Sequence, residues 1–174
     1  MNINIFLSIV MIGLSMIYFF FKPMNLKQTK DKEIPQFSLV NFTLNELDTN
    51  GLVTKMNGDK GIRYNDRYVV KNIDYTDNSK DFLSNMKAKN GLYKKDVVYL
   101  DGDVKFKRDD GLRFFSQKAT YKKNKDIAST SVEYIAYIGE NYIAGDSVLF
   151  DNKNNTIKSK NIYAVYNLEE KKEK

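Results

Sequence analysis

A spacing of 30 residues organises this chain from its middle to its C-terminus. Asp66, Asp96 and Asp126 occur at that interval, Thr156 holds the fourth position, and a β-branched or apolar residue follows each closely. Self-similarity at a period of this length indicates stacked supersecondary units. Each unit reads as a strand, a turn and another strand, so the sequence predicts strand pairs that bury one continuous apolar face. Hairpins in an ordinary β-sandwich also recur at such intervals, and that alternative stays open.

The segments between these positions alternate polar and apolar residues. Val104 and Phe106 alternate with Lys105 and Lys107, and the stretch 130–138 reads the same way. A period of two is typical of half-buried antiparallel strands. This region is free of proline, so nothing forbids strand pairing. We therefore expect an all-β fold of about eight to ten antiparallel strands, a number at which an open sheet curls or divides into two packed layers.

Turn chemistry is supplied by four dipeptides. Asn57-Gly58, Asn90-Gly91, Asp101-Gly102 and Asp110-Gly111 are the pairs that tight hairpin turns prefer, and each predicts a turn. The stretch 81–89 is the one segment after the N-terminal region that could form an amphipathic helix, and it reads equally well as a strand.

Composition removes most catalytic chemistry. The 174 residues include no cysteine and no histidine, so disulfides, thiolate metal sites, the usual zinc ligand and the usual general base are absent. The 12 tyrosines and 11 phenylalanines suit strands. The net charge is +6, but lysines and acids are interleaved, which indicates a solvated surface more than a nucleic-acid site.

Carboxylates are the remaining catalytic candidates. Asp101 and Asp103 flank Gly102, and such a pair could serve glycoside hydrolysis or hold calcium. Their Asp-Gly context favours capping of backbone groups instead. We therefore predict no catalytic residue, no metal site and no cofactor. An anchored glycan hydrolase is thus a weaker hypothesis than the two non-catalytic functions, a lipid-transfer bridge and a protein-binding scaffold, that are described below.

The N-terminal segment predicts a membrane anchor at residues 3–21. Residues 3–21 contain no charged side chain. These roughly 19 residues would span about 28 Å as a helix, close to the thickness of a bilayer core. A cleaved signal peptide would have a basic start and small residues at its end. This segment begins Met-Asn-Ile and ends in bulky aromatics, which favours an uncleaved anchor. A polar linker at residues 22–34 follows.

The charges next to the anchor bear on the side of the membrane to which the following domain goes. Lys22, Lys27, Lys30 and Lys32 all follow it, and the positive-inside rule alone would keep the next domain in the cytoplasm. The rule is weaker for a long following domain, which can cross the membrane largely regardless of charge. We expect that domain at residues 35–168, followed by a charged flexible tail at residues 169–174.

An uncleaved N-terminal helix, a polar linker and a histidine-free repeated β domain together resemble the LptC family, the membrane-anchored periplasmic component of lipopolysaccharide export, related to the OstA-like fold of LptA. Residues 91–106 resemble the family's x-D-x-x-x-L-x-G-x-V strand pair, and residues 111–121 resemble its L-x-T-x-x-A-x-Y strand. Residues 35–42 resemble its first strand, and residues 145–151 and 157–162 its closing repeats. The retained anchor separates LptC from its sister proteins.

The resemblance implies a twisted antiparallel β-jelly-roll with an apolar groove. It implies a non-catalytic bridge that accepts lipopolysaccharide from an ABC transporter and passes it to a periplasmic partner of the same fold. One helix would anchor this bridge in the inner membrane, and the rest of the chain would lie in the periplasm. The inward-facing set of residues stays open, because a slip of one residue inverts it. The candidate lipid-binding residues are Phe42, Leu44, Ile62, Tyr64, Val98, Leu100, Val104, Phe106, Phe114, Tyr121, Ile135, Tyr137, Val148 and Phe150.

The resemblance also implies partners. The C-terminal edge strand, residues 162–168, would pair with an LptA-like protein, and the N-terminal strand, residues 37–44, with the LptB/LptF/LptG-type transporter, whose helices the anchor would contact. Two glycines fall near a family region needed for assembly. The candidate partner-binding residues are Phe37, Leu39, Gly139, Gly145, Ile162, Tyr163, Ala164, Val165, Tyr166 and Leu168. The rival hypothesis is an anchored β-sandwich scaffold or adhesion protein that binds only proteins and has a filled core.

Overall fold

The computed structural model describes residue 11 and residues 14–16, 33–49, 51–79 and 81–167. The chain divides into two units, Met1–Ile34 and Pro35–Lys174. In the first unit, residue 11 and residues 14–16 are helical. The described part of the second unit is built from β-strands and turns.

Twelve strands form one antiparallel sheet in the described residues. They are β1 (Phe37–Asp48), β2 (Gly51–Arg63), β3 (Tyr68–Asp77), β4 (Ser84–Lys94), β5 (Val97–Arg108), β6 (Leu112–Lys122), β7 (Ile127–Thr130), β8 (Tyr134–Ile138), β9 (Asn141–Gly145), β10 (Ser147–Asp151), β11 (Thr156–Lys160) and β12 (Tyr163–Val165). The all-β prediction is confirmed. The helical alternative for residues 81–89 is wrong, because β4 begins at Ser84 and pairs along its length with β3 and β5.

The sheet is an antiparallel meander. Each of its last three courses, meaning passes of the chain across the sheet, is interrupted and forms two short strands. Strands β1 to β6 pair in sequence order, and β6 then pairs with β7 through its C-terminal half and with β8 through its N-terminal half. Strand β10 pairs with β7 and β11, and β9 pairs with β8 and β12. The sheet therefore divides at β6 into two branches, β7-β10-β11 and β8-β9-β12. Counting β7+β8, β9+β10 and β11+β12 as single courses gives the strand number expected from the sequence.

The 30-residue spacing marks turns at one end of this meander. Asp66 lies in the β2–β3 connection, Asp96 in the β4–β5 turn and Asp126 in the β6–β7 turn, while Thr156 begins β11 directly after a turn. Asp96 and Asp126 have positive φ of 59° and 55°, which aspartate tolerates better than most residues. The predicted unit of strand, turn and strand is therefore confirmed.

A line of irregularities, which we call the bulge line, crosses the strands near their middles. The β4–β5 and β5–β6 registers shift there, and Asn41, Asn72 and Asp103 have positive φ of 48°, 48° and 50°. In the last three courses the interruption between the two short strands lies at the same level. Asn161, between β11 and β12, has a φ of 50° there. A bulge bends its strand and increases the local twist, so the irregularities in β4, β5 and β6 bend the sheet at this level.

Polar side chains connect neighbouring strands along the bulge line. Asn72 Nδ2 donates a hydrogen bond to Asp59 Oδ2 at 2.5 Å, and Lys89 Nζ lies 2.7 Å from Asp103 Oδ2. These pairs bridge β2 to β3 and β4 to β5, where backbone pairing is interrupted. They hold the bend on the exposed side of the sheet.

Three of the four predicted Asx-Gly turns are wrong. Asp110-Gly111 lies in the β5–β6 turn, whereas Asn57-Gly58, Asn90-Gly91 and Asp101-Gly102 lie inside strands near the bulge line. Packing and backbone shape explain these glycines. A Cβ on Gly58 would lie 2.8 Å from Val70 Cγ1, and Gly102 has a φ of 80° within the β5 bulge.

Candidate functional site

One face of the sheet carries the buried apolar cluster, and we call it the inner face. Ile73, Ala88, Leu100 and Val104 are buried together there, and Val104 is only 2% exposed. Partly buried apolar side chains continue the cluster on neighbouring strands: Met56, Val70, Tyr75, Met86, Val98 and Ala119. The cluster runs across β2 to β6, on both sides of the bulge line.

Strand register extends this face into continuous rows. One row, which we call the inner row, pairs Phe106 of β5 with Met86 of β4 on one side and Phe114 of β6 on the other. It continues through Tyr75 and Met56 to Leu44 on β1. Directly opposed side chains in such rows contact one another. The inner row is therefore an apolar strip six strands wide.

Ten of the 14 predicted lipid-binding residues belong to the inner face. Val104 and Phe106 point inward while Lys105 and Lys107 are exposed on the opposite, outer face, as the alternation predicted. The ten are Phe42, Leu44, Val98, Leu100, Val104, Phe106, Phe114, Tyr121, Val148 and Phe150.

The other four predicted residues lie elsewhere. Ile62 opposes Ser38 and Val69 on the outer face, and Tyr64 lies in the β2–β3 connection. Ile135 and Tyr137 oppose Phe115 and Arg113, also on the outer face. The strict period of two fails across the bulge line, where β2 advances three residues between the inward glycines at 58 and 61.

The inner face is apolar but incompletely covered. In the described part of the chain, five apolar residues are buried, namely Ile73, Ala88, Leu100, Val104 and Tyr134. Phe106, Phe114 and Phe150 remain partly exposed, and Leu44 on β1 is 47% exposed. A scaffold with a filled core would bury side chains of this size.

Phe42 covers the inner face where it approaches the β1 edge. Its ring packs on the backbone of two glycines of β2, and a Cβ on Gly58 or Gly61 would lie 2.9 Å or 2.8 Å from the ring. These glycines therefore create the space for an aromatic ring that a larger residue on β2 would exclude. The sequence pattern predicts Phe42 in the lining, but it does not predict the two glycines of β2 that make room for the ring.

The two branches are joined by a buried polar junction. Ser116 Oγ lies 3.2 Å from Thr130 Oγ1, and Tyr134 Oη lies 2.8 Å from Ser159 Oγ. A Cβ on Gly145 would lie 2.9 Å from the Lys160 carbonyl oxygen and 2.9 Å from the Tyr134 ring. The ring of Tyr134 stacks on Phe114, with centroids 5.7 Å apart. Gly145 thus has a packing role, while Gly139 lies in the exposed β8–β9 turn.

Apart from the two glycines, the predicted partner-binding residues that the structure describes lie at or beside sheet edges. Phe37 and Leu39 belong to β1, which pairs only with β2 among the described strands. Tyr163, Ala164 and Val165 form β12, which pairs only with β9 among them. Ile162 and Tyr166 flank β12 and are exposed, and Leu168 lies outside the described residues.

The candidate carboxylates lie on the outer face with lysine partners. Asp103 is exposed, and the hydrogen bond from Lys89 lowers the pKa of its carboxyl group. Asp101 lies 3.8 Å from Lys118 Nζ, and both side chains are largely exposed. Both carboxylates are therefore exposed members of surface ion pairs.

Comparison with known proteins places the chain. A family model described as "Lipopolysaccharide-assembly, LptC-related" matches residues 5–166. The chain belongs to the LptC family. The resemblance read from the sequence is thereby confirmed, and the sequence matches no curated protein.

A solved structure shares the fold. It is LptH, the LptA-homologous periplasmic component of the lipopolysaccharide transport device of Pseudomonas aeruginosa. The similarity has a TM-score of 0.52 at 10% sequence identity and covers 76% of this chain and 94% of LptH. At this identity the likeness establishes the fold alone.

The predicted anchor lies almost wholly outside the described residues. Within residues 3–21, the structure describes only residue 11 and residues 14–16. Over the part of the chain that is described, no helix has the length and hydropathy that crossing a bilayer requires.

Proposed function

We propose that this chain is a non-catalytic bridge for lipopolysaccharide. It accepts the lipid from an inner-membrane ABC transporter onto its inner face and passes it to a periplasmic partner of the same fold. The family match supports a role in lipopolysaccharide assembly. In accord with the resemblance, the energy for transport comes from the transporter and not from this chain.

The incompletely covered inner face is the observation that carries this proposal. Its row from Leu44 to Phe114 is apolar on six consecutive strands, and its large side chains keep part of their surface exposed. Each buried methylene group of an acyl chain contributes about 0.8 kcal/mol. Such a face holds acyl chains without directed bonds, and a lipid can move along it without breaking any.

Strand pairing at the two ends of the sheet completes the proposed bridge. An exposed edge presents unpaired backbone groups to which another chain can add a strand. We assign β12 and its flanking residues to the LptA-like partner and β1 to the transporter, in accord with the resemblance. The inner rows then continue from one protein to the next without an interruption of the sheet.

The N-terminal segment completes the topology. We propose that residues 3–21 form a single-pass anchor against the helices of an LptB/LptF/LptG-type transporter, with residues 35–168 in the periplasm. The charge distribution alone favours the opposite orientation, so the proposal requires that the long domain be exported despite it.

Photo-crosslinking tests the lipid-carrying face. A photoreactive amino acid is placed at Phe106 or, as a matched control one residue away, at Lys105, in membranes of the native host. We expect a lipopolysaccharide adduct at residue 106 and none at residue 105, because these side chains point to opposite faces. Adducts at neither position in a folded protein would favour the protein-binding scaffold and overturn the proposal.

A further inference from the structure

A cleft on the outer face lies beside the division of the sheet. It is open to solvent and has a volume of about 630 Å³, within the roughly 300–1,000 Å³ typical of ligand sites. Two cross-strand rows line most of it. The first row runs Tyr99, Thr120, Ser129, Leu149 and Lys158, and the second contains Asp101, Lys118, Ser131, Ser147 and Lys160.

The cleft lies where the β7-β10-β11 branch leaves β6. The branch leaves β6 at Thr120, where pairing with β7 ends, while the rest of β6 continues to β8. Leu100, Ala119 and Val148, whose side chains point to the inner face, also line the cleft between the two rows. The cleft therefore lies on the opposite side of the sheet from the proposed acyl-chain path.

The cleft carries an excess of positive charge. Lys118 faces Asp101 at 3.8 Å, whereas Lys158 and Lys160 form no salt bridge with any described residue. Three lysines and one aspartate thus line the site. Ammonium groups without a carboxylate partner on the wall of a concave site favour an anionic ligand, and phosphate is an anion that lysine binds well.

The remaining lining suits a sugar. The hydroxyl groups of Thr120, Ser129, Ser131 and Ser147 make no side-chain hydrogen bond within the described part of the chain, so they are free to donate and accept. Tyr99 is 46% exposed and presents a large ring with a polar hydroxyl at its tip. Free hydroxyls, an exposed ring and unpaired lysines match the hydroxyls, ring face and charge of a sugar phosphate.

We propose that this cleft binds a phosphorylated saccharide. Tyr99 stacks against a sugar ring, the free hydroxyls hydrogen-bond its substituents, and Lys158 and Lys160 pair with its phosphate. Assigning this saccharide to the head group of the transported lipid rests on the proposed function. Binding of a free sugar phosphate does not, so the two proposals can fail separately.

Calorimetric titration of the full chain in detergent tests this site. The probes are a bisphosphorylated glucosamine disaccharide without acyl chains, the same disaccharide without phosphate, and inorganic phosphate. We expect the double variant Lys158→Gln/Lys160→Gln to weaken binding of the bisphosphorylated probe at least about tenfold. The matched control Lys105→Gln/Lys107→Gln removes two lysines of β5 on the same outer face but outside the cleft. It should change the affinity for the bisphosphorylated probe less than about twofold.

The remaining outcomes decide the chemistry. Equal losses in both double variants, no binding by the wild-type chain, or inorganic phosphate binding as tightly as the bisphosphorylated disaccharide would each overturn the proposal. Tyr99→Ser is expected to weaken the disaccharide about fivefold while leaving weak phosphate binding unchanged. A photoreactive residue at Leu149 identifies the source in native membranes: a lipopolysaccharide adduct supports the head group, and disaccharide binding without that adduct supports a soluble sugar phosphate.

Discussion

Tyr121 lies near the end of β6, beside the turn that contains Asp126. Its hydroxyl donates a 2.8 Å hydrogen bond to Asp126 Oδ1, a residue of the 30-residue series. Burial and this hydrogen bond raise the pKa of Tyr121 from 10.0 to about 12. The contact between this turn and β6 can therefore be followed through the titration of Tyr121.

That raised pKa predicts a loss of stability in alkali. Between 10.0 and about 12 the folded protein retains a phenol proton that the unfolded chain has released, so the free energy of unfolding falls as pH rises through this window. Tyr121→Phe should cost about 1 kcal/mol near neutral pH and weaken this alkaline fall. Urea unfolding near neutral pH and near pH 11 measures both, with the exposed Tyr166→Phe as control.

The packing around Gly145 at the polar junction leaves no room for a methyl group. A methyl group there would lie 2.9 Å from a backbone oxygen and from the Tyr134 ring, so Gly145→Ala should destabilise by about 1–3 kcal/mol. Gly91→Ala is the matched control, because its methyl would meet Ile73 at an ordinary 3.5 Å. Equal thermal stability of the two variants would contradict the packing role of Gly145.

At the scale of strands, the bulge line depends on residues that tolerate positive φ. Asn72 has φ 48° in the middle of β3 and bonds Asp59 on β2. Asn72→Val should cost about 1–3 kcal/mol, because a β-branched residue is strained at this backbone conformation. Asn72→Gly should cost much less, since glycine keeps the conformation and loses only an exposed hydrogen bond. Chemical denaturation of both variants measures the difference.

Strand β12 should be separable from the rest of the fold. Its residues are exposed, Tyr163 by 65%, and it pairs only with β9 among the described strands. Truncation after Asn161 should leave most of the thermal stability intact yet abolish binding of a purified LptA-like partner. Truncation after Leu168, which removes only the charged tail, should preserve binding. Retained partner binding without β12 would assign the contact to another edge.

The strands were predictable because hydrophobic period and turn spacing agree over most of the chain. The alternation of Val104 and Phe106 with Lys105 and Lys107 gave the correct faces for β5. The bulge line was not predictable in this way, since bulged positions such as Gly102 carry the same Asx-Gly chemistry as hairpin turns. That ambiguity placed turns inside strands and put Ile62 on the inner face.

The inner face was predicted in part for a related reason. Met56, Tyr75 and Met86 lie on the inner row, but methionine carries a weaker strand signal than β-branched or aromatic residues, and Tyr75 precedes a polar stretch. Their positions follow from register, which depends on long-range pairing. The outer cleft shows the same limit, because its two rows join segments about 60 residues apart in sequence, from Tyr99 to Lys158.

For the whole molecule, the divided sheet separates two chemistries. The inner face is apolar over six strands, and the outer cleft combines lysines with free hydroxyls. A lipid with acyl chains and a phosphorylated sugar head group presents the same two chemistries. In the account proposed here, one meander handles both because its bulge line and its branching at β6 curve the sheet in different places.

The most direct test of the central claim follows the inner row across three strands. Photoreactive residues are placed at Met56, Met86 and Phe106 and, as controls one residue away on the outer face, at Lys55, Lys87 and Lys105, in native-host membranes. The account predicts lipopolysaccharide adducts at all three inner positions and none at the outer ones. Adducts confined to the outer positions, or absent from all six sites of folded protein, would contradict it.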